Sequence, residues 1–172
     1  MRLLHSKDIY LKQFEGSNIP KYAILSHTWG DDEPTFEDVK NDEAQGKAGF
    51  DKILGACQQA VREGYDWIWI DTCCIYKSSS AELQESINSM YRWYASAEIC
   101  YVYMVDVLTP EAGWGLEFKT SRWWSRGWTL RTLAPPEKYP AAICLYCIHR
   151  GTDSSTIPNI FHQDLAAHRL KG

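Results

Sequence analysis

Five consecutive residues, Ser26-His27-Thr28-Trp29-Gly30, set a hydroxyl, an imidazole and an indole side by side. Ser26 and His27 either serve a ligand site or merely satisfy backbone groups. Trp29 either stacks on a planar ligand or fills a gap in the core. Asp71 opens a second group, Asp71-Thr72-Cys73-Cys74. A catalytic thiol there would need a polarising base, and His27 is the imidazole expected nearby; we read Cys73 and Cys74 instead as buried strand positions. Ser79 and Glu82 have the spacing of a capping box, which explains Glu82 without catalysis yet leaves its carboxylate, like that of Glu85, as a candidate acid. Cys144 and Cys147 with His162 and His168 fit the loose spacing of a zinc site. The two cysteines lie in an apolar run, however, and the intervening segment lacks a finger's core positions, so no metal is assigned. Lys119 to Arg131 mixes four bases with three Trp, too few bases for a nucleic-acid tract; buried Trp and solvated Arg are expected there.

Positioning these groups requires a core, and 172 residues with 45% apolar side chains suffice for a single domain without disulfide or metal staples. Tyr22 to Ser26 reads as a buried strand. From Phe50 the apolar positions Ile53, Cys57, Ala60 and Val61 recur at helical steps until Gly64. Trp67 to Ile75 then reads as a central parallel strand, apolar on both faces. A helix capped by Ser79 follows, with Leu83, Ile87, Met90, Tyr94 and Ala97 in one stripe. Cys100 to Val105 gives a third strand, Trp123 to Leu133 a further helix and Ala141 to Ile148 a fourth strand. Strands alternating with helices predict a doubly wound, mainly parallel α/β sheet with helices on both faces. In such sheets ligands bind beyond the carboxyl ends of the strands where the strand order reverses, which would bring the groups after the first three strands together.

Net charge is −4, so the whole molecule offers no attraction to nucleic acid or an anionic membrane. Residues 31 to 43 hold seven acids against one base and are expected as a solvated loop and helix start. The first seven residues lack the apolar run of an export signal. The longest apolar stretch, Ala141 to Ile148, falls far short of the roughly 20 residues that span a membrane. Six cysteines in apolar contexts are expected as free buried thiols, and the protein as soluble.

Three blocks, Tyr22-Ala23-Ile24-Leu25-Ser26-His27-Thr28-Trp29-Gly30, Trp67-Ile68-Trp69-Ile70-Asp71-Thr72-Cys73-Cys74-Ile75 and Arg126-Gly127-Trp128-Thr129-Leu130, resemble in order and spacing the signatures of the fungal heterokaryon-incompatibility (HET) domain. The resemblance covers residues 1 to 136 and weakens from 137 to 172 of what is read as one HET domain. It implies a cytoplasmic effector domain that triggers programmed cell death after non-self recognition. It also implies a distant similarity to TIR domains, doubly wound α/β signalling domains of which some cleave NAD. Ser26, His27, Trp29, Gly30, Asp71, Cys74, Arg126, Trp128 and Thr132 are the ligand-binding residues expected on this basis. TIR enzymes hold a glutamate against the ribose, where its charge stabilises an oxocarbenium-like transition state. The corresponding family segment is Trp-Thr-Leu-Gln-Glu, whereas Thr132 stands at the Glu position here, and Tyr76 stands where the family commonly has Asp or Asn. A hydroxyl supplies no such charge, so Glu82 becomes the catalytic candidate, with Glu85 beside it. The expected function is therefore a signalling module acting through homotypic or other HET- and TIR-like contacts, without required cofactor, metal, membrane or nucleic acid. The alternative is an NAD glycohydrolase with NAD as substrate or ligand, and the second alternative is nucleic-acid binding through the Arg/Trp segment.

Overall fold

Apolar runs become the strands of one six-stranded mixed sheet in a computed structural model that describes residues 1–107, 116–125 and 142–145. The strands are β1 (Arg2–His5), β2 (Leu11–Gln13), β3 (Ala23–His27), β4 (Trp67–Trp69), β5 (Ile99–Tyr103) and β6 (Ala142–Leu145), in the order β2-β1-β4-β3-β5-β6. β3 pairs in parallel with both β4 and β5, and β5 in parallel with β6. The chain steps from β3 out to β4 and then returns past β3 to β5, so the strand order reverses at β3. The carboxyl ends of β3, β4 and β5 consequently lie along one rim.

The N-terminal hairpin was not foreseen. β1 pairs antiparallel with β2 and, on its other edge, with β4, so the sheet is mixed, with three of its five pairings parallel. Leu3 and Leu4 are both fully buried because β1 is interior to the sheet, so its short run lacks the alternation that announces a half-exposed strand. His5 stacks on Tyr10 with ring centroids 4.9 Å apart, and Trp67 meets His5 and Phe14 edge-on.

α1 (Phe36–Lys40) starts in the acidic segment, where Thr35 and Asp38 cap each other's backbone. α2 (Phe50–Arg62) buries Ile53, Ala56, Cys57 and Ala60 completely, whereas Val61 faces solvent. Of these, Ile53 contributes about 1.5–3 kcal/mol through its burial, and the smaller Ala and Cys side chains less.

The segment read as one strand from Trp67 to Ile75 divides. β4 ends at Trp69, and α3 (Asp71–Cys74) is a single helical turn closed by the Cys74 N–H donating to the Ile70 carbonyl at 2.8 Å. A buried helical turn and a buried strand are equally apolar, so periodicity could not separate them. α4 (Ser80–Ser96) follows, its first turn capped by the Ser79 hydroxyl, which accepts from the Glu82 N–H. Leu83, Met90 and Tyr94 pack on the core and Ala97 is buried, but Ile87 is exposed. α5 (Leu116–Thr120) precedes a 3-10 turn at Arg122–Ser125, where a longer helix from Trp123 was expected; residues 126 to 133 lie outside the described residues. Cys57, Cys73, Cys74 and Cys100 are free and buried. Among the described residues, no helix is long and apolar enough to cross a membrane.

Candidate functional site

His27 is the last residue of β3, and Asp71 follows β4 by two residues as the first position of α3. The reversal of strand order at β3 makes these ends neighbours. His27 Nε2 lies 2.8 Å from Asp71 Oδ1, and the Trp29 indole Nε1–H donates to Asp71 Oδ2 at 3.0 Å. An ionised carboxylate only accepts, so Nε2 of His27 carries the proton of that bond. The His27 side chain is 1% exposed and that of Asp71 20%, while Trp29 is 45% exposed. Burial alone would raise Asp71. The His27 imidazole, the indole N–H and the ammonium of Lys77 together outweigh it and hold the carboxyl below its ordinary range.

The loop after β3 is pinned from beneath. Lys52, on the inward side of α2, forms an ion pair with Glu33, and its ammonium also donates to the Thr28 carbonyl at 3.4 Å. Glu33 Oε1 in turn accepts from the Gly30 N–H at 2.7 Å. Both charged side chains are buried, at 7% and 9% exposure. Burial lowers the Lys52 pKa, and the Glu33 carboxylate counteracts this. Lys77 approaches from the turn before α4, its Nζ 3.7 Å from the centroid of the Trp29 ring.

His27 and Trp29 thus both bond to Asp71, and the Gly30 N–H is held by Glu33 in the same loop. Ser26 faces the interior at 1% exposure rather than an open cleft. The Cys74 thiol is turned inward as well, within 3.4 Å of the Ile70 N–H and 3.9 Å of the Ile68 carbonyl oxygen, so it belongs to the packing of α3. The Cys73 thiol is raised well above its ordinary value by its contact with Cys74 and by burial, the reverse of an activated nucleophile. Arg126, Trp128 and Thr132 lie outside the described residues, as do Cys147, His162 and His168. Among the described residues, no three His, Cys, Asp or Glu side chains are grouped to hold a metal ion.

Glu82 has different partners from those expected. Its carboxylate receives Arg2 Nη1 at 2.6 Å and Nη2 at 3.3 Å, together with the Tyr76 N–H at 2.9 Å. Burial raises its pKa, but Arg2 and that N–H outweigh the effect and hold the group ionised. Its contacts anchor the turn from Tyr76 to Ser79 onto β1. Glu85 lines a separate groove of about 790 Å³ between α4 and residues 13–22, together with Phe14, Arg92 and Trp93. Asp106, after β5, accepts from the Ser121 hydroxyl at 2.6 Å and the Arg122 N–H at 2.7 Å, so the third strand end anchors the 116–125 segment.

Lys52, Glu33 and Lys77 were missed by sequence reasoning. The available signal for Lys52 was its place one residue before Ile53 and four before Ala56, on the inward edge of a helix that follows an acid-rich loop.

A family model described as Heterokaryon incompatibility protein (HET) matches residues 22–113. The Vegetative incompatibility protein HET-E-1 of Podospora anserina is 46% identical over 148 residues, covering 79% of this chain. The chain spans 11% of that relative's length. No solved structure matches.

Proposed function

The chain belongs to the heterokaryon incompatibility (HET) family, and from that premise we propose that it is an effector domain of fungal non-self recognition whose output is regulated cell death. One observation supports a defined site for that output: His27 and Trp29 from one signature block close on Asp71 from another, at the rim where the strand order reverses. We take β4-β3-β5-β6 as a doubly wound, TIR-like unit with right-handed crossovers, which would set α2 and α4 on opposite faces. The domain acts in the cytoplasm through contacts with copies of itself or with other HET- or TIR-like domains. Induced expression in a filamentous fungus tests the reading through colony growth. Arrest by the wild-type chain and growth with a folded Asp71→Ala variant supports it; unimpaired growth with the wild-type chain contradicts it. Light scattering across concentration tests assembly: mass should rise with concentration, and a strict monomer that recovers no HET-type partner excludes it.

A second reading, NAD cleavage, is favoured by the ionised, partly exposed carboxylate of Asp71 beside an exposed indole. Such a charge would stabilise the cationic transition state that Thr132 cannot and that Glu82, clamped by Arg2, is badly placed to serve. The role proposed for a carboxylate therefore passes from Glu82 to Asp71. Purified protein should release nicotinamide from NAD, and Asp71→Ala should stop the release. Equal release by that variant, or none from the wild-type chain, removes this reading.

A further inference from the structure

The ring that the site presents to solvent already carries a cation. Lys77 belongs to the turn between α3 and α4, whose backbone is fixed by the Ser79 N–H on the Tyr76 carbonyl, by the Tyr76 N–H on Glu82, and by the Tyr76 ring lying 5.0 Å from Phe36. From that anchored turn its ammonium reaches the face of Trp29, 3.7 Å from the centroid. It forms no hydrogen bond or ion pair among the described residues. Burial lowers its pKa, against the opposing pull of the Asp71 and Glu33 charges nearby. With Asp71 held by His27 and Trp29, and Glu33 by Lys52 and Gly30, the ammonium on its long flexible stem rests on the indole, a face that attracts positive charge. The indole N–H donates to Asp71 Oδ2, which holds the ring's orientation and pushes electron density toward its face.

We propose that the solvent-facing ring of Trp29, backed by Asp71, is a binding site for an organic cation, planar or quaternary, and that Lys77 is a built-in occupant which the ligand displaces. Displacement requires only rotation of the lysine stem, because the turn itself stays tied to Glu82 and Phe36. Neutral rings gain no charge attraction at this face, and anions are repelled by Asp71 and Glu33. The inference goes beyond the proposed effector role and beyond NAD cleavage, since it needs neither cell death nor bond breaking.

Calorimetry on the purified chain tests it with 1-methylpyridinium as the probe and pyridine, neutral in mildly alkaline buffer, as its uncharged counterpart. The wild-type chain should bind the cation in preference to the neutral ring. Lys77→Ala removes the competitor and should tighten binding of 1-methylpyridinium by roughly three- to fivefold. Lys77→Gln, which keeps the stem and loses the charge, should give a gain of the same order if the alanine variant perturbs the turn. Trp29→Leu, with an unchanged circular dichroism spectrum, should abolish binding. The proposal is overturned if neither Lys77 variant binds the cation more tightly than wild type, if pyridine binds as well as the cation, or if Trp29→Leu retains binding. Neither growth arrest nor nicotinamide release is read here. Failure in calorimetry thus leaves the effector reading standing, and failure in the growth assay leaves this site standing.

Discussion

Asp71 divides its two oxygens between a buried imidazole and a half-exposed indole, so its removal acts unequally on the two partners. Trp29 can turn its N–H to water, whereas the His27 N–H would be left buried without an acceptor. Asp71→Ala should therefore cost about 2 kcal/mol in denaturant unfolding, mostly through His27. The pH dependence has a definite sign. A carboxyl held below its unfolded value stabilises the fold fully above the ordinary carboxylate range, near about pH 4, and loses that contribution as pH falls through its folded value. Asp38, Glu82 and Asp106 are lowered in the same direction, so Asp71→Asn should flatten part of the acid limb of stability and leave the rest. Thermal melts across acidic pH measure this, and an unaltered limb in the variant would contradict the assignment. His27, Trp29 and Asp71 were legible in the sequence because each stands within two residues of a strand end. Lys52, Glu33 and Lys77 were not, because a buried or ring-stacked lysine has the same letter as a solvated one.

Two ion pairs do different work among the elements. Arg2 binds Glu82 through both nitrogens, donates to the Cys74 carbonyl at 3.2 Å and lies 4.4 Å from the Phe36 ring centroid, so one side chain ties β1 to α1, α3 and α4. A double-mutant cycle on Arg2→Ala and Glu82→Ala should give a coupling of about 1–2 kcal/mol, as expected for a charge-assisted, partly exposed pair. Coupling near zero would mean that the clamp is decorative. The Lys52–Glu33 pair is buried, and Lys52→Ala strands a carboxylate in the interior. Unfolding should then be easier by about 3 kcal/mol or more, larger than for either Arg2→Ala or Glu82→Ala. At this scale the sequence foretold α2, α4, β3 and β5 with small shifts at their ends, since length and apolar period both marked them. It failed at α3 and at the β1–β2 hairpin. There the elements have three or four residues, too short for a period to develop, and tertiary burial rather than local pattern decides their conformation.

For the whole molecule, the parallel half of the sheet was legible from the alternation of strand and helix, but the antiparallel edge was not, because nothing local in Arg2 to His5 foretells pairing with Trp67 sixty residues away. That edge gives β4 a neighbour on each side and fixes the register of the strand that delivers Asp71 to the rim. The consequence is a site assembled from distant segments, which should respond to loss of its own groups and remain indifferent to equal loss of stability elsewhere. A comparison of Asp71→Ala with Arg2→Ala isolates that property, with both proteins brought to matched abundance and both verified as folded by circular dichroism. Growth arrest upon induction in a filamentous fungus is the readout. The account predicts arrest with the wild-type and Arg2→Ala chains and normal growth with Asp71→Ala; arrest of equal strength by Asp71→Ala would contradict it.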